Sequence, residues 1–118
     1  MARDVFNTDC PARRVLDHIA SRWAVLVLRT LSEGPHRYTE LRTAIDGISD
    51  KMLTATLQTL ESDGLVHRAI GDGRPPSVTY SATDLGRGAV AALEPFLDWI
   101  RANADEITAH WPTAQSAR

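Results

Sequence analysis

Apolar residues along this chain recur three and four apart through most of its length, and the spacing switches to alternation near residue 65. Val15, Leu16 and Ile19 make a first stripe, and Cys10-Pro11 opens the helix they predict, with proline at a first-turn position where its missing N–H costs nothing. Trp23, Leu26, Val27 and Leu31 make a second helix from about Ser21, stopped by Gly34-Pro35. His36-Arg37-Tyr38 leaves room for a small strand only. Thr39 is the expected cap of a third helix with Leu41, Ala44 and Ile45 inward, ended by Asp46-Gly47. Ser49 caps a fourth helix of about fourteen residues that closes at Gly64.

Leu65 to Ile70 then alternates as a strand does, residues 71–76 read as a turn, and Val78 to Ser81 returns. Thr83 caps a long last helix running towards Trp111. Along it Val90, Leu93, Leu97, Ile100, Ala104, Ile107 and Trp111 repeat in a heptad pattern, which suggests pairing between subunits. Ala92, Phe96 and Trp99 form a second apolar face, and Pro95 is expected to bend the helix because it offers no N–H to the Ala91 carbonyl. Residues 1–9 read as a polar arm and 112–118 as a frayed end. Three helices followed by a hairpin is the order of a winged helix. The expected class is therefore α+β, mainly α: one domain over 1–118, with helices and wing in 10–83 and a dimerisation helix in 84–112.

Placing Leu53 at 0° and advancing 100° per residue brings Leu57 and Leu60 within about 40° of it, so these three face the core. Lys51, Thr54, Ala55, Gln58 and Ser62 lie opposite, with Thr59 at the margin. Such a short, polar, almost uncharged face suits base edges in a major groove: glutamine bonds adenine in a bidentate way, Thr and Ala methyls meet thymine, and Lys51 reaches guanine or phosphate. Ser49 and the free N–H groups of the first turn suit a phosphate, whereas Asp50 favours the helix start but repels a close phosphate. A polar outer face is also what any solvated helix shows. The short helix before it, with Arg37 and Arg42 as phosphate candidates, and the hairpin with Arg74 at its tip favour a nucleic-acid interface.

The charge balance bears on this. The 118 residues carry a net charge of −2, which taken whole argues against a nucleic-acid partner. Residues 1–83 hold ten Lys/Arg and ten Asp/Glu, however, and residues 84–118 hold three and five, so the acidity sits in the tail. With 43% hydrophobic and 24% charged residues the chain reads as a soluble globular domain. No apolar run approaches the roughly 18 residues of a membrane span, and no signal peptide is apparent, so a cytoplasmic protein without a membrane partner is expected. A single cysteine, Cys10, excludes an internal disulfide framework. No Gly-rich phosphate loop, HExxH, CxxC or nucleophile motif occurs, and the four histidines are scattered, so no enzyme, cofactor or metal site is expected.

The chain resembles the HxlR-type winged helix regulators, distant relatives of the MarR type. The likeness rests on Cys10-Pro11 with Leu16-Asp17, Trp23 with Leu28-Arg29, Gly34-Pro35, Arg37-Tyr38 with Glu40-Leu41-Arg42, and Gly47-Ile48-Ser49 with Lys51-Met52-Leu53-Thr54. It continues through Leu57, Leu60-Glu61, Asp63-Gly64-Leu65-Val66, Arg68, Pro75-Pro76, Val78, Tyr80-Ser81 and Thr83-Asp84-Leu85-Gly86. The resemblance implies a homodimer, joined through its N- and C-terminal helices, with one recognition helix per subunit reading a pseudo-palindromic double-stranded DNA operator. Ala55 and Gln58 stand where such proteins often carry larger polar or basic side chains. Three readings of its regulation and use stay open. Cys10, at a helix N-cap beside Arg13 and Arg14, is a candidate thiol switch for an oxidant or electrophile. A small apolar effector held by Leu93, Phe96, Leu97, Trp99 and Ile100 at the dimer interface is the second. A protein-interaction module that does not bind DNA is the third.

Overall fold

The computed structural model describes residues 4–112, so the expected frayed end beyond Pro112 and the first three residues of the arm lie outside the described residues. The elements run α1 (Pro11–Ile19), α2 (Arg22–Leu31), β1 (His36–Arg37), α3 (Tyr38–Ala44), α4 (Asp50–Ser62), β2 (Val66–Ile70), β3 (Val78–Ala82) and α5 (Asp84–Thr108). Local chemistry sets most of the boundaries. Ser21, Ser49 and Thr83 each accept the backbone N–H three residues on, from Ala24, Met52 and Gly86, at 3.0–3.1 Å. Gly64 takes φ +75° after α4, which lets the Leu65 N–H reach the Leu60 carbonyl at 2.9 Å and the Gly64 N–H reach that of Glu61 at 3.0 Å. This is a Schellman stop, sealed by buried Leu60 and Leu65.

Two expectations about α3 need correction. Its cap is Arg37 rather than Thr39, because the Arg37 N–H donates to the Glu40 carboxylate at 2.7 Å and starts the helix two residues sooner. Ala44 is exposed rather than inward. The helix ends there and Ile45 turns to φ −107°, ψ 97°, so the core positions pass to Ile45 and Ile48 in the turn.

The strands form one antiparallel sheet in the order β1-β3-β2, so the small first strand extends the expected hairpin to three strands. Val66 pairs with Ala82 and Arg68 with Tyr80, while His36 pairs with Tyr80 from the other side. The core lies between α2, α4 and this sheet. Val27, Leu28, Leu41, Leu53 and Leu60 are wholly buried at its centre. Each such side chain contributes on the order of 1.5–3 kcal/mol.

The terminal helices are covered much less. α1 has no buried residue, and Val15 and Leu16 remain 45% exposed. α5 continues through Pro95 without interruption but buries only Gly86 and Val90. The proposed heptad seam is thus anchored at Val90, half-buried at Leu93, Leu97 and Ala104, and exposed at Ile100, Ile107 and Trp111. No helix of the described residues is long and apolar enough to cross a membrane.

Candidate nucleic-acid interface

α4 turns Leu53, Leu57 and Leu60 into the core together with Thr56. Lys51, Thr54, Ala55, Gln58 and Ser62 face solvent as the helical wheel requires, and Thr59 is half-buried. Ser49 spends its hydroxyl oxygen on the Met52 N–H, so the serine itself satisfies one of the helix's free donors and leaves the other N–H groups of the first turn without an intrahelical partner.

The acidic residue at the start of α4 is not isolated. Tyr38 donates its hydroxyl to Asp50 Oδ1 at 2.8 Å, and Arg42 forms an ion pair with the same oxygen. The Tyr38 hydroxyl also lies 3.2 Å from the Asp50 carbonyl and 3.3 Å from Thr54 Oγ1. The tyrosine hydrogen bond, reinforced by the guanidinium, holds the Asp50 carboxyl below the ordinary carboxylate range, and the hydrogen bond and charge of Asp50 push Arg42 upward. One consequence is electrostatic: the negative charge at the helix start is compensated, which lowers its repulsion of a phosphate. The other is mechanical, because α3 is fastened to the first turn of α4.

Arg42 is therefore drawn back onto Asp50 rather than extended. Arg37 is exposed at the start of α3, and Arg74 is exposed in the loop between β2 and β3, which the Gly71 N–H closes onto the Ser77 carbonyl at 2.7 Å. Tyr38 and the Asp50 contact escaped the sequence reading since the two residues are twelve apart and no local period joins them.

The other candidate residues lie elsewhere. Cys10 is the N-cap of α1 and only 4% exposed. Phe96 and Trp99 stand out from α5 at 60% and 56% exposure, with Ile100 beside them and Leu93 and Leu97 half-buried. An apolar cavity of about 400 Å3 opens at the opposite end of α5, lined by Val15, Ile19, Leu65, Leu85, Gly88 and Ala89 with Asp63 and Asp84 at its rim; Phe96 and Trp99 are not part of it. Among the described residues no group of three or more His, Cys, Asp or Glu side chains is placed to hold a metal ion.

A serine-capped helix fastened to a shorter one, followed by a sheet with a projecting loop, is the arrangement of a winged helix-turn-helix transcriptional regulator, a class without enzymatic activity. The chain belongs to the HxlR-like helix-turn-helix family, whose model matches residues 18–108. It is 44% identical over 106 residues to the uncharacterized HTH-type transcriptional regulator YtfH of Escherichia coli K12, an alignment spanning 90% of this chain and 84% of that protein. The solved transcriptional regulator YtfH of Salmonella typhimurium is 42% identical and superposes with a TM-score of 0.83 over 90% of this chain and 95% of that one. The redox regulator HypR in its oxidized form is 34% identical, with a TM-score of 0.73 over 80% of this chain and 97% of its own.

Proposed function

We propose that the protein is a cytoplasmic homodimer that binds a pseudo-palindromic double-stranded DNA operator and regulates transcription there. The observation that carries this reading is the exposed stripe of α4. Lys51, Thr54, Ala55 and Gln58 face outward from a capped helix whose one acidic residue at the start is ion-paired with Arg42 and hydrogen-bonded by Tyr38. In this reading Gln58 and Thr54 meet base edges, Ala55 packs on a thymine methyl, and Ser49 with the first-turn N–H groups receives a phosphate. Arg37 and Arg74 reach backbone on either side, and Lys51 reaches phosphate or guanine. Arg42 acts mainly through Asp50. The second subunit is supported by the apolar residues that α1 and α5 leave uncovered, including Val15, Leu16, Phe96, Trp99 and Ile100. Two copies place two α4 helices in successive major grooves about one helical turn apart.

Regulation by oxidation at Cys10 is the favoured control. The redox regulator HypR shares the fold at 34% identity, and Cys10 sits at the N-cap of α1, one of the two helices assigned to the dimer. Modification there would move α1 against its partner.

The experiment is a gel-shift of the purified protein against genomic duplex fragments, before and after mild oxidant treatment. The retained fragments should share a dyad. Gln58→Ala should relax base preference at one position per half-site by about 1–3 kcal/mol. Oxidant should change the affinity of the wild type but not that of Cys10→Ser. Retained fragments without a dyad would sink the operator model, and an oxidant response retained in Cys10→Ser would remove the cysteine from it.

A further inference from the structure

Arg68 occupies an unusual position for a charged residue. In β2 the residues alternate faces, and Val66 is buried opposite an equally buried Ala82. Two residues on, Arg68 pairs with Tyr80, so it projects from the same helix-facing side rather than from the outer side with His67. The core ends between Val66 and Arg68, and the arginine is exposed. Its side chain has no hydrogen-bond or ion-pair partner among the described residues.

What Arg68 meets instead is a polar cleft of about 300 Å3 between α4 and the root of the hairpin. Thr54, Gln58 and Glu61 form one wall, and Tyr38, Tyr80 and Arg68 the rest. Residues 54, 58 and 61 are spaced four and three apart, one stripe of the helix, and Thr54 and Gln58 belong to the face assigned above to base edges. The cleft therefore opens on that same surface. With the Tyr38 proton already given to Asp50, it offers the Thr54 and Tyr80 hydroxyls, the Gln58 amide and one guanidinium, the fork-shaped group suited to two oxygens of a phosphodiester. Glu61 is the single group in the cleft that opposes an anion.

We propose that Arg68 and this cleft hold a backbone phosphate of the bound DNA at the root of the hairpin, a contact distinct from that of Arg74 at its tip. The proposal rests on the DNA-binding reading above and adds a residue and a partner group to it.

The test is fluorescence anisotropy with a duplex retained in the gel-shift and with an unrelated duplex of equal length, each titrated over a range of salt. Arg68→Ala should weaken both complexes at least about tenfold, as loss of a hydrogen bond to a charged group does, and lower the salt slope by about one. Both duplexes should suffer equally, because a phosphate carries no sequence. Glu61→Gln should tighten both. Arg68→Ala with wild-type affinity and slope overturns the proposal, and so does a loss confined to the retained duplex, which would mark a base contact. Should Arg68→Ala lose its cooperative thermal transition, Arg68→Lys decides instead: it keeps the charge and should keep the slope while losing affinity, and a changed slope overturns the phosphate assignment. Wild type that binds neither duplex defeats the DNA-binding reading itself, whereas wild type that binds both alike, with the Arg68 effect intact, leaves the phosphate contact standing and removes only the operator.

Discussion

His18 Nδ1 lies 2.7 Å from Asp63 Oδ2, and this contact joins the last turn of α1 to the residue that ends α4. The two residues are 45 apart in sequence, and α1 has no buried side chain of its own, so the pair is a polar tie between α1 and the winged helix core. Asp63→Asn should loosen α1 more than it lowers global stability. Because His18 and Asp63 keep 35% and 21% of their side-chain surface, the expected loss is about 0.5–1 kcal/mol in urea unfolding. Amide exchange in residues 14–19 should accelerate. Unchanged exchange there would show that α1 is held by other contacts.

The Asp50 carboxyl, held low by the Tyr38 hydroxyl and then by Arg42, makes a pH prediction with a definite sign. A carboxyl with a depressed value in the folded state adds stability that is present above its unfolded value and is lost as pH falls through the folded one. The fastening of α3 to α4 should thus be intact at neutral pH and fail only below the ordinary carboxylate range. Tyr38→Phe should move the Asp50 titration, followed by carboxyl carbon NMR, upward towards that range. An unmoved midpoint would assign the effect to Arg42 alone.

Gly86 is required by close approach rather than by backbone freedom. A Cβ built there would collide with the backbone carbonyl of Leu65, which cannot swing aside as a side chain can. Gly86→Ala should cost about 1–3 kcal/mol through overpacking. Gly88, two residues on in the same helix, has no atom within 4 Å of such a Cβ, so Gly88→Ala should gain up to about 1 kcal/mol from helix propensity alone. Denaturant midpoints of the two variants should shift in opposite directions.

The exposed end of α5 yields a prediction about assembly. Ile100 is 40% exposed in the single chain, so Ile100→Asp should leave the fold intact while placing an unpaired charge in any subunit seam built there. Sedimentation should find the wild type dimeric and the variant monomeric at micromolar concentration, with the same far-ultraviolet circular dichroism. A wild type that sediments as a monomer would remove the seam.

The parts of the fold legible in the sequence are those decided within a few residues. Ser21, Ser49 and Thr83 cap helices through bonds three residues long, and the Schellman stop at Gly64 is equally local. The inward set on α4 followed from its period because one helix face is buried throughout. The start of α3 lies two residues before the one expected from Thr39 since two competing caps lie close together, and the bond from the Arg37 N–H to the Glu40 carboxylate favours the earlier one. Contacts between distant segments left no periodic trace: Tyr38 on Asp50, His18 on Asp63, Arg29 on Glu94. Arg68 is intermediate. Alternation from Val66 already places it on the inner face, but the absence of a partner and the cleft beside it appear only once α4 and the sheet are assembled.

The junction after α4 is worked from both sides. Thr83 donates its N–H to the Leu65 carbonyl at 3.1 Å and its hydroxyl to the Gly64 carbonyl at 2.7 Å, and Gly86 brings the first turn of α5 against the same backbone. The residues that end α4 are therefore spliced directly to those that begin α5, with the hairpin held as a closed loop between them. Tilting α5 drags the splice, and with it both the trailing end of α4 and the root of the hairpin, as a crank carries its shaft. In the dimer proposed above, whatever sets the angle between the two copies of α5 would set, through four residues of backbone, how far apart their two hairpins stand.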